Sequence, residues 1–493
     1  MRYRALGQIS FLSLVSIWAG GCAASVTPVV SELGSSVTTT GSIATPEASS
    51  ANHRPHISLA SWETPSQSVE STPTSDPFPA AKELAVEMLV EQVLARNPSL
   101  AEMTAAWQAA AARYPQVVSL DDPMVAGTFG PETIAPDDRG VEFASRLEIS
   151  QKYPWPGKRQ LRGQNAIATS NAAANEVDDM RLQLVESAKN AFYDYFLAER
   201  ALEVNQESLD LLKRILEDAQ VRYQSSKDKE KVSIQEVYQF QVEIGKEQRR
   251  RLELERMRQV AKAQINTLMH RDPEDPLPRP PKELKVAGEP RSFQELRQAG
   301  LVRRPDLQAL SNRVAAEEAA LELAYKEFYP DIEPFFMYDR FMGNASGSRD
   351  LATMLGVRLN LPVRRARRNA AVEEAEARLA QRRAELAKLT DQANFQIDQA
   401  YQEVREAVDT VRLYETKILQ DAQANVEAAQ PAYKTGLIPA SNMVEAQRAV
   451  VELKDRYFEA VANYFRRQAA LDRAVAMPLD SASSPPVKRA NDY

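Results

Sequence analysis

The segment Leu94-Ala95-Arg96-Asn97-Pro98-Ser99-Leu100 returns as Leu301-Val302-Arg303-Arg304-Pro305-Asp306-Leu307, 207 residues later. Pro123 and Pro330 keep the same offset after a helix-like stretch in each copy. Each copy reads as a short helix, two alternating segments, a very long helix, a break and a return helix. A repeat this long dictates architecture, because each half must offer the same faces to its neighbours. The pattern points to a tube built from repeated units rather than to a globe with a pocket.

Two boundaries organise the repeat. The first copy covers 83–269, with strands expected at about 123–130 and 140–150 and a helical tip at about 224–231. A Pro-rich linker, 270–292, leads to the second copy at 293–477, with strands at about 331–339 and 351–361 and a tip at about 434–440. A short tail, 478–493, comes last. The fold class is mainly α with a small β part.

The strands are read from a change of period after Pro123 and Pro330. Val141, Phe143, Leu147 and Ile149 alternate with Glu142, Arg146 and Glu148. Ile332, Pro334, Phe336 and Tyr338, and again Leu355, Val357, Leu359 and Leu361, do the same, whereas 124–129 is the weakest of the four. Period two with one apolar face is the strand signature, and these lengths suit tilted membrane strands. A sheet in lipid has to close on itself, and single-chain barrels begin at about eight strands. Four strands therefore require several chains to pool them, and three copies would supply twelve. The other reading is two ordinary hairpins packed on helices in a soluble protein.

The long helices carry heptad seams. From Gly157 to Tyr223 there is no proline, which corresponds to roughly 100 Å of helix. Leu184, Ala188, Ala191, Tyr195, Ala198, Leu202, Asn205, Leu209, Leu212, Leu216, Ala219 and Tyr223 alternate steps of four and three, with Asn205 the polar exception. In the second copy the seam runs Ala393, Ile397, Ala400, Val404, Ala407, Val411, Tyr414, Ile418, Ala422, Asn425, Ala429 and Ala432, with one phase slip at Ile418–Ala422. The breaks differ: Gln224-Ser225-Ser226-Lys227-Asp228-Lys229 in the first copy, Lys434-Thr435-Gly436-Leu437-Ile438-Pro439 in the second. Gly436 suits a helix C-cap and Pro439 the start of the next helix.

The N-terminus reads as an export segment. Met1-Arg2-Tyr3-Arg4 and the apolar run Ala5–Ala19 form n- and h-regions of a signal peptide, 1–21, too short to span a bilayer as a helix. Cys22, the only cysteine, comes directly after Ala19-Gly20-Gly21 and resembles a bacterial lipobox, which implies lipidation there, although the pattern prefers Leu where Ala19 stands. Ordinary cleavage with an incidental thiol is the alternative. Residues 22–82, rich in Ser, Thr and Pro, read as a flexible tether.

Chemistry is sparse. The chain has 61 basic and 68 acidic residues, a net charge of −7, with no excess that would favour nucleic acid. With one cysteine, three histidines and no phosphate-binding glycine loop, no enzymatic constellation stands out. His53 and His56 fall in the tether and His270 beside the Pro-rich linker, and neither place reads as a metal site. No cofactor is expected.

The ordered landmarks resemble the TolC-like outer-membrane efflux protein family across roughly 83–475. They are Asn97-Pro98-Ser99-Leu100, Arg304-Pro305-Asp306-Leu307, Tyr153-Pro154-Trp155-Pro156-Gly157-Lys158-Arg159 with its diverged counterpart Leu361-Pro362-Val363-Arg364-Arg365, and Tyr433-Lys434-Thr435-Gly436-Leu437-Ile438 with Asn442-Met443-Val444-Glu445-Ala446-Gln447 just beyond it. The Trp155-Pro156-Gly157 segment is similar to the heavy-metal-efflux branch. The resemblance implies a homotrimer with a twelve-stranded outer-membrane barrel and a helical periplasmic tunnel. Its partners would be a periplasmic adaptor and an inner-membrane pump. It further implies that Thr435, Gly436, Leu437 and Ile438 form an adaptor-contacting turn. The pore constriction would involve Glu445, with neutral Asn442 at a second family position and Glu236 at the related place in the first copy. Rings of symmetry-related carboxylates attract cations and raise one another's pKa. The competing function is a lipid-anchored periplasmic coiled-coil adaptor or structural protein that never spans the membrane.

Overall fold

The computed structural model describes residues 78, 83–130, 143–225, 234–286, 288, 291–342 and 349–477. The signal peptide, Cys22, His53, His56, nearly all of the tether and of the tail, both hairpin loops and most of the first tip lie outside the described residues.

Each copy opens with a helix broken once by proline. In the first copy α1 (Val86–Arg96) gives way to α2 (Pro98–Ala111) and the short α3 (Arg113–Val118). Asn97 makes the break: its side chain accepts from the Ser99 N–H at 2.9 Å, while its amide donates to the Leu268 carbonyl at 2.9 Å. Pro98 then fills the first helical position, where a missing N–H costs nothing. Next come two strands, β1 (Met124–Gly130) and β2 (Phe143–Ser150), then α4 (Lys158–Ser225) and the return helix α5 (Ile234–Leu268). The second copy runs α6 (Phe293–Arg303), α7 (Pro305–Lys326), β3 (Ile332–Met342), β4 (Arg349–Leu359), α8 (Arg365–Leu413), a π-helical turn (Tyr414–Ile418), α9 (Leu419–Lys434) and α10 (Ala440–Val475).

The four strands form one antiparallel sheet in sequence order, so the β2–β3 pairing joins the two copies. Among the described residues, neither outer edge strand, β1 or β4, pairs with a further strand. Helix α4 is an unbroken 68 residues, about 100 Å long, and its predicted seam is buried from Leu184 to Ala219 except for half-buried Leu202 and Leu216. Asn205 is fully buried there and donates to the Glu247 carbonyl of α5 at 3.0 Å. The second seam is buried from Ala393 to Val411.

Two expectations need correction. Asn425 is exposed and Val426 packs inward instead. The π-helical turn, closed by the Leu419 N–H on the Tyr414 carbonyl, inserts one residue and rotates the helix beyond it. The offset of 207 also does not persist through Pro123 and Pro330. Arg159 donates to the Val118 carbonyl and Arg368 to the Glu327 carbonyl, and both partners of this duplicated bond lie 209 residues apart. The second copy gains two residues where α7 runs straight while α2 and α3 part at Ala112.

Three apolar clusters hold the helices. One joins α1, α4 and α5 around Leu89, Ala191 and Ile265. A second joins α8 and α10 around Ile397, Val404 and Tyr464. The third lies at the tips, where Leu212, Phe240, Tyr433 and Met443 bring all four hairpin helices together. No described helix is long and apolar enough to cross a membrane.

Candidate functional site

The sheet has two chemically opposed faces. Antiparallel pairing places Val125, Ile149, Phe336 and Leu355 in one row across all four strands, with Leu147 and Tyr338, and Ile332 and Leu359, in rows beside it. This face is apolar and uncovered, Leu355 being 84% exposed and Val125 66%. On the other face Arg146 grips Asp339 with two bonds, 2.7 and 2.9 Å. Arg358 of β4 bonds Glu333 of β3 at 3.1 Å and reaches Glu148 of β2, its guanidinium lying 4.7 Å from the Phe335 ring centre. Phe335 can lie flat because Gly356 opposes it, and a Cβ there would come within 2.3 Å of the ring. One face is thus apolar and bare, while the other keeps its charges paired.

Below the sheet, the turn into α4 is a buried polar junction. The Tyr153 N–H donates to the Ile332 carbonyl at 2.7 Å, and the Ile332 N–H returns the bond at 2.9 Å. Trp155 stacks on Tyr329 with centroids 5.2 Å apart. Gly157 takes φ +93°, which only glycine adopts freely, and so aims Lys158 inward. The Lys158 ammonium, 1% exposed, donates to Asp331 at 2.9 Å, the Tyr329 carbonyl at 3.1 Å and Glu327 at 3.3 Å. Burial opposes ionisation of Asp331, but Lys158 and the Trp155 N–H overcome it and hold the carboxyl below its usual range. In the sequence this segment stands out only by its family likeness. No periodicity signals that Lys158 is buried or that its partner is Asp331, 173 residues away.

At the second tip, α9 ends as Gly436 takes φ +76° and its N–H bonds the Tyr433 carbonyl at 3.0 Å, while the Leu437 N–H reaches Ala432 at 2.9 Å. Thr435, Gly436 and Leu437 are exposed, Leu437 at 80%, whereas Ile438 packs against the tip cluster. Tyr433 anchors the turn. Its hydroxyl meets Glu236 at 3.3 Å, the Arg222 guanidinium lies 4.1 Å over its ring, and Phe240 packs edge-on at 5.9 Å. Burial, with help from Glu236 and against Arg222, pushes the phenol up to about 12.

The three constriction candidates separate into two environments. Asn442 and Glu445 are exposed on the first turns of α10. Glu445 lines a groove of about 500 Å³ between α5 and α10, together with Gln235, Tyr238, Glu243 and Arg448. Glu236 is half-buried and engaged with Tyr433 instead. Starting in the wall of the groove, α5 and α10 are joined by a ladder with one heptad between rungs. Arg448 holds buried Glu243 at 2.8 Å, and seven residues on, the polarity reverses as Arg250 meets Asp455. Among the described residues, no group of three or more His, Cys, Asp or Glu side chains is arranged to hold a metal ion.

Residues 296–476 match the family model of the outer membrane efflux protein. No curated protein matches the chain. Among solved structures, the outer-membrane channel OprN is similar with a TM-score of 0.68 at 18% identity, covering 79% of this chain and 89% of that one. CusC, whose structures trace folding and transmembrane channel formation, gives 0.68 at 16% over 79% and 91%. VceC, an outer membrane protein of Vibrio cholerae, gives 0.66 at 19% over 79% and 95%. At these identities the structures establish the fold.

Proposed function

Because the chain carries the outer membrane efflux protein family's pattern over its second copy, and the fold of outer-membrane channels over 79% of its length, we propose that it is a passive exit duct. The resemblance read from the sequence stands. In the proposed assembly, three chains pool their sheets into a twelve-stranded barrel in the outer membrane, and the hairpins form a tunnel across the periplasm. Energy comes from an inner-membrane pump linked through a periplasmic adaptor, and the chain itself is no enzyme.

The observation that carries this reading is the two-faced sheet with two unpaired edges. An apolar row four strands wide, facing nothing, is a liability in water and is matched to lipid. Open edges cannot remain in a bilayer, so the sheet needs further copies. Exposed Thr435, Gly436 and Leu437, with Ile438 behind them, offer the turn on which the adaptor docks. Glu445 and Asn442 line the entrance, with Glu236 held at its wall by Tyr433. Cys22 anchors the N-terminus to lipid.

Purified protein in planar bilayers should conduct ions as a trimer, and divalent cations should reduce that conductance. Glu445→Gln should relieve the cation block, while neutral Asn442 keeps the block weak from the start. A non-conducting monomer would end the duct reading, and an unchanged cation titration in Glu445→Gln would remove Glu445 from the constriction.

A further inference from the structure

We propose that Arg367 of one chain pairs with Asp122 of a second copy, repeating between chains the Lys158–Asp331 bridge that joins the two repeats within one chain. The inference rests on the ring assembly proposed above, and it specifies a contact that ring would contain.

The duplicated bonds Arg159 to Val118 and Arg368 to Glu327 fix the structural offset at 209 on both the helix start and the segment it grips. Lys158 and Asp331 flank these positions. Moved by the same offset, Lys158 becomes Arg367 and Asp331 becomes Asp122. The charges survive the exchange, although the residues around them have diverged. Both side chains are exposed, and neither has an ion-pair partner among the described residues.

The surroundings leave room for that partner. Helix α4 is flanked by α2 and α3 of its own copy and by α7 of the other, which buries Leu161, Ala166, Ala172 and Val177. Helix α8 has α7 on one flank and nothing equivalent to the second layer, so Val372 and Leu379 are the only buried side chains in its first half. Conversely, α2 and α3 contain no buried residue. A second copy that sets its α2 and α3 against α8 would also bring its free β1 edge to the free β4 edge. The β2–β3 seam lies directly above the Lys158 bridge, and the seam between chains would lie above Arg367 and Asp122.

Proline explains why a charge pair matters more at the seam between chains. Within the chain Tyr153 and Ile332 exchange two backbone hydrogen bonds beside the bridge. The positions at the same offset are Pro362 and Pro123, and neither has an N–H to donate. The backbone clasp therefore cannot be repeated, and the side chains carry the register of the contact.

The test is a charge-reversal cycle on the full-length protein in detergent, read by the rate at which labelled subunits exchange between oligomers. Asp122→Lys and Arg367→Glu should each speed exchange about tenfold by placing like charges across the seam. The double variant should return to within about threefold of wild type. Unchanged far-ultraviolet dichroism would show that these exposed substitutions leave the fold intact. Singles that fail to assemble but are rescued by the double variant support the contact equally. A double variant no better than the singles, or singles that exchange at the wild-type rate in a conducting oligomer, overturns the contact while leaving the duct reading in place. A monomeric wild type overturns both.

Discussion

The two strand-to-helix junctions are the same piece of chain in two situations. In the first copy, Trp155 stacks on Tyr329, Lys158 is buried against Asp331, and the Tyr153 backbone pairs with Ile332 of the second copy. In the second copy, Leu361 and Val363 are 70% and 79% exposed, and Arg364 and Arg365 point into solvent. The difference lies in the neighbour each junction meets. The first copy's junction packs against the second copy, whereas among the described residues the second copy's junction meets no such counterpart. The sharpest way to break this comparison is to remove the buried cation. Lys158→Met keeps the stem but leaves Asp331 without its partner, and should cost about 3–5 kcal/mol in denaturant unfolding of the dissociated chain. Arg367→Met in the same assay should stay within about 0.5 kcal/mol of wild type, because nothing in the chain leans on it. Equal losses would mean the junctions are equivalent after all.

The two long helices differ by one residue of phase. Helix α4 keeps its seam facing inward without a change of phase, whereas α8 needs the π-helical turn at Tyr414–Ile418 before α9 can place Val426 and Tyr433 in the tip cluster. Tyr457 bonds Glu415 within this turn at 3.0 Å, and Gln420 donates to the Glu415 carbonyl at 3.1 Å, so the irregular turn is held in place. An alanine inserted after Ala424 has no such turn to absorb it and should rotate Tyr433 by about 100° away from Phe240 and Arg222, at an expected loss of about 2–4 kcal/mol and with amide exchange at the tip rising well before that of α4. Deleting Lys417 should instead restore a continuous α-helix and leave Val426 and Tyr433, each moved up one position, in the tip cluster. A Lys417 deletion that opens the tip would show that this turn does not absorb the extra residue.

Much of this architecture is legible in the residues alone, for identifiable reasons. Strands and seams announce themselves through period, and the slip at Ile418–Ala422 marks the π-helical turn within a few residues. Gly436 is readable as a cap because a positive φ favours one residue type. The pairing of β2 with β3 is not written locally, since period two states which face a residue takes but not its neighbour. Asn425 is misplaced by a heptad count because such a count assumes a constant helix, and one inserted residue defeats it. Lys158 escapes because a lysine is normally a surface residue, and only partners 169–173 residues away make its burial possible. Among the constriction candidates, sequence places Glu445 only slightly ahead of Glu236, and packing separates the one bonded to Tyr433 from the one lining a groove.

The smallest expected effect comes from the ladder between the return helices, whose two rungs should respond to acid in opposite senses. Burial opposes ionisation of Glu243, yet Arg448 and Lys246 outweigh it and lower its pKa. Its contribution is present above the ordinary carboxylate range and is lost as pH falls through its depressed pKa. Asp455 behaves differently: burial exceeds the pull of Arg250 and raises it to about 6. The folded state therefore favours the protonated acid, and that contribution, complete below about pH 4, disappears as pH rises through about 6. Glu243→Gln should cost about 1–2 kcal/mol at pH 7.5, roughly that of a charged hydrogen bond, and progressively less toward pH 3. Asp455→Asn should gain on wild type between about pH 4 and 7, because it deletes the ionisation that opposes folding there. Thermal midpoints of the two variants across that range decide the matter. Parallel curves would mean that the reversed polarity of the rungs carries no difference in environment, and that the lower and upper halves of the α5–α10 contact are equally open to water.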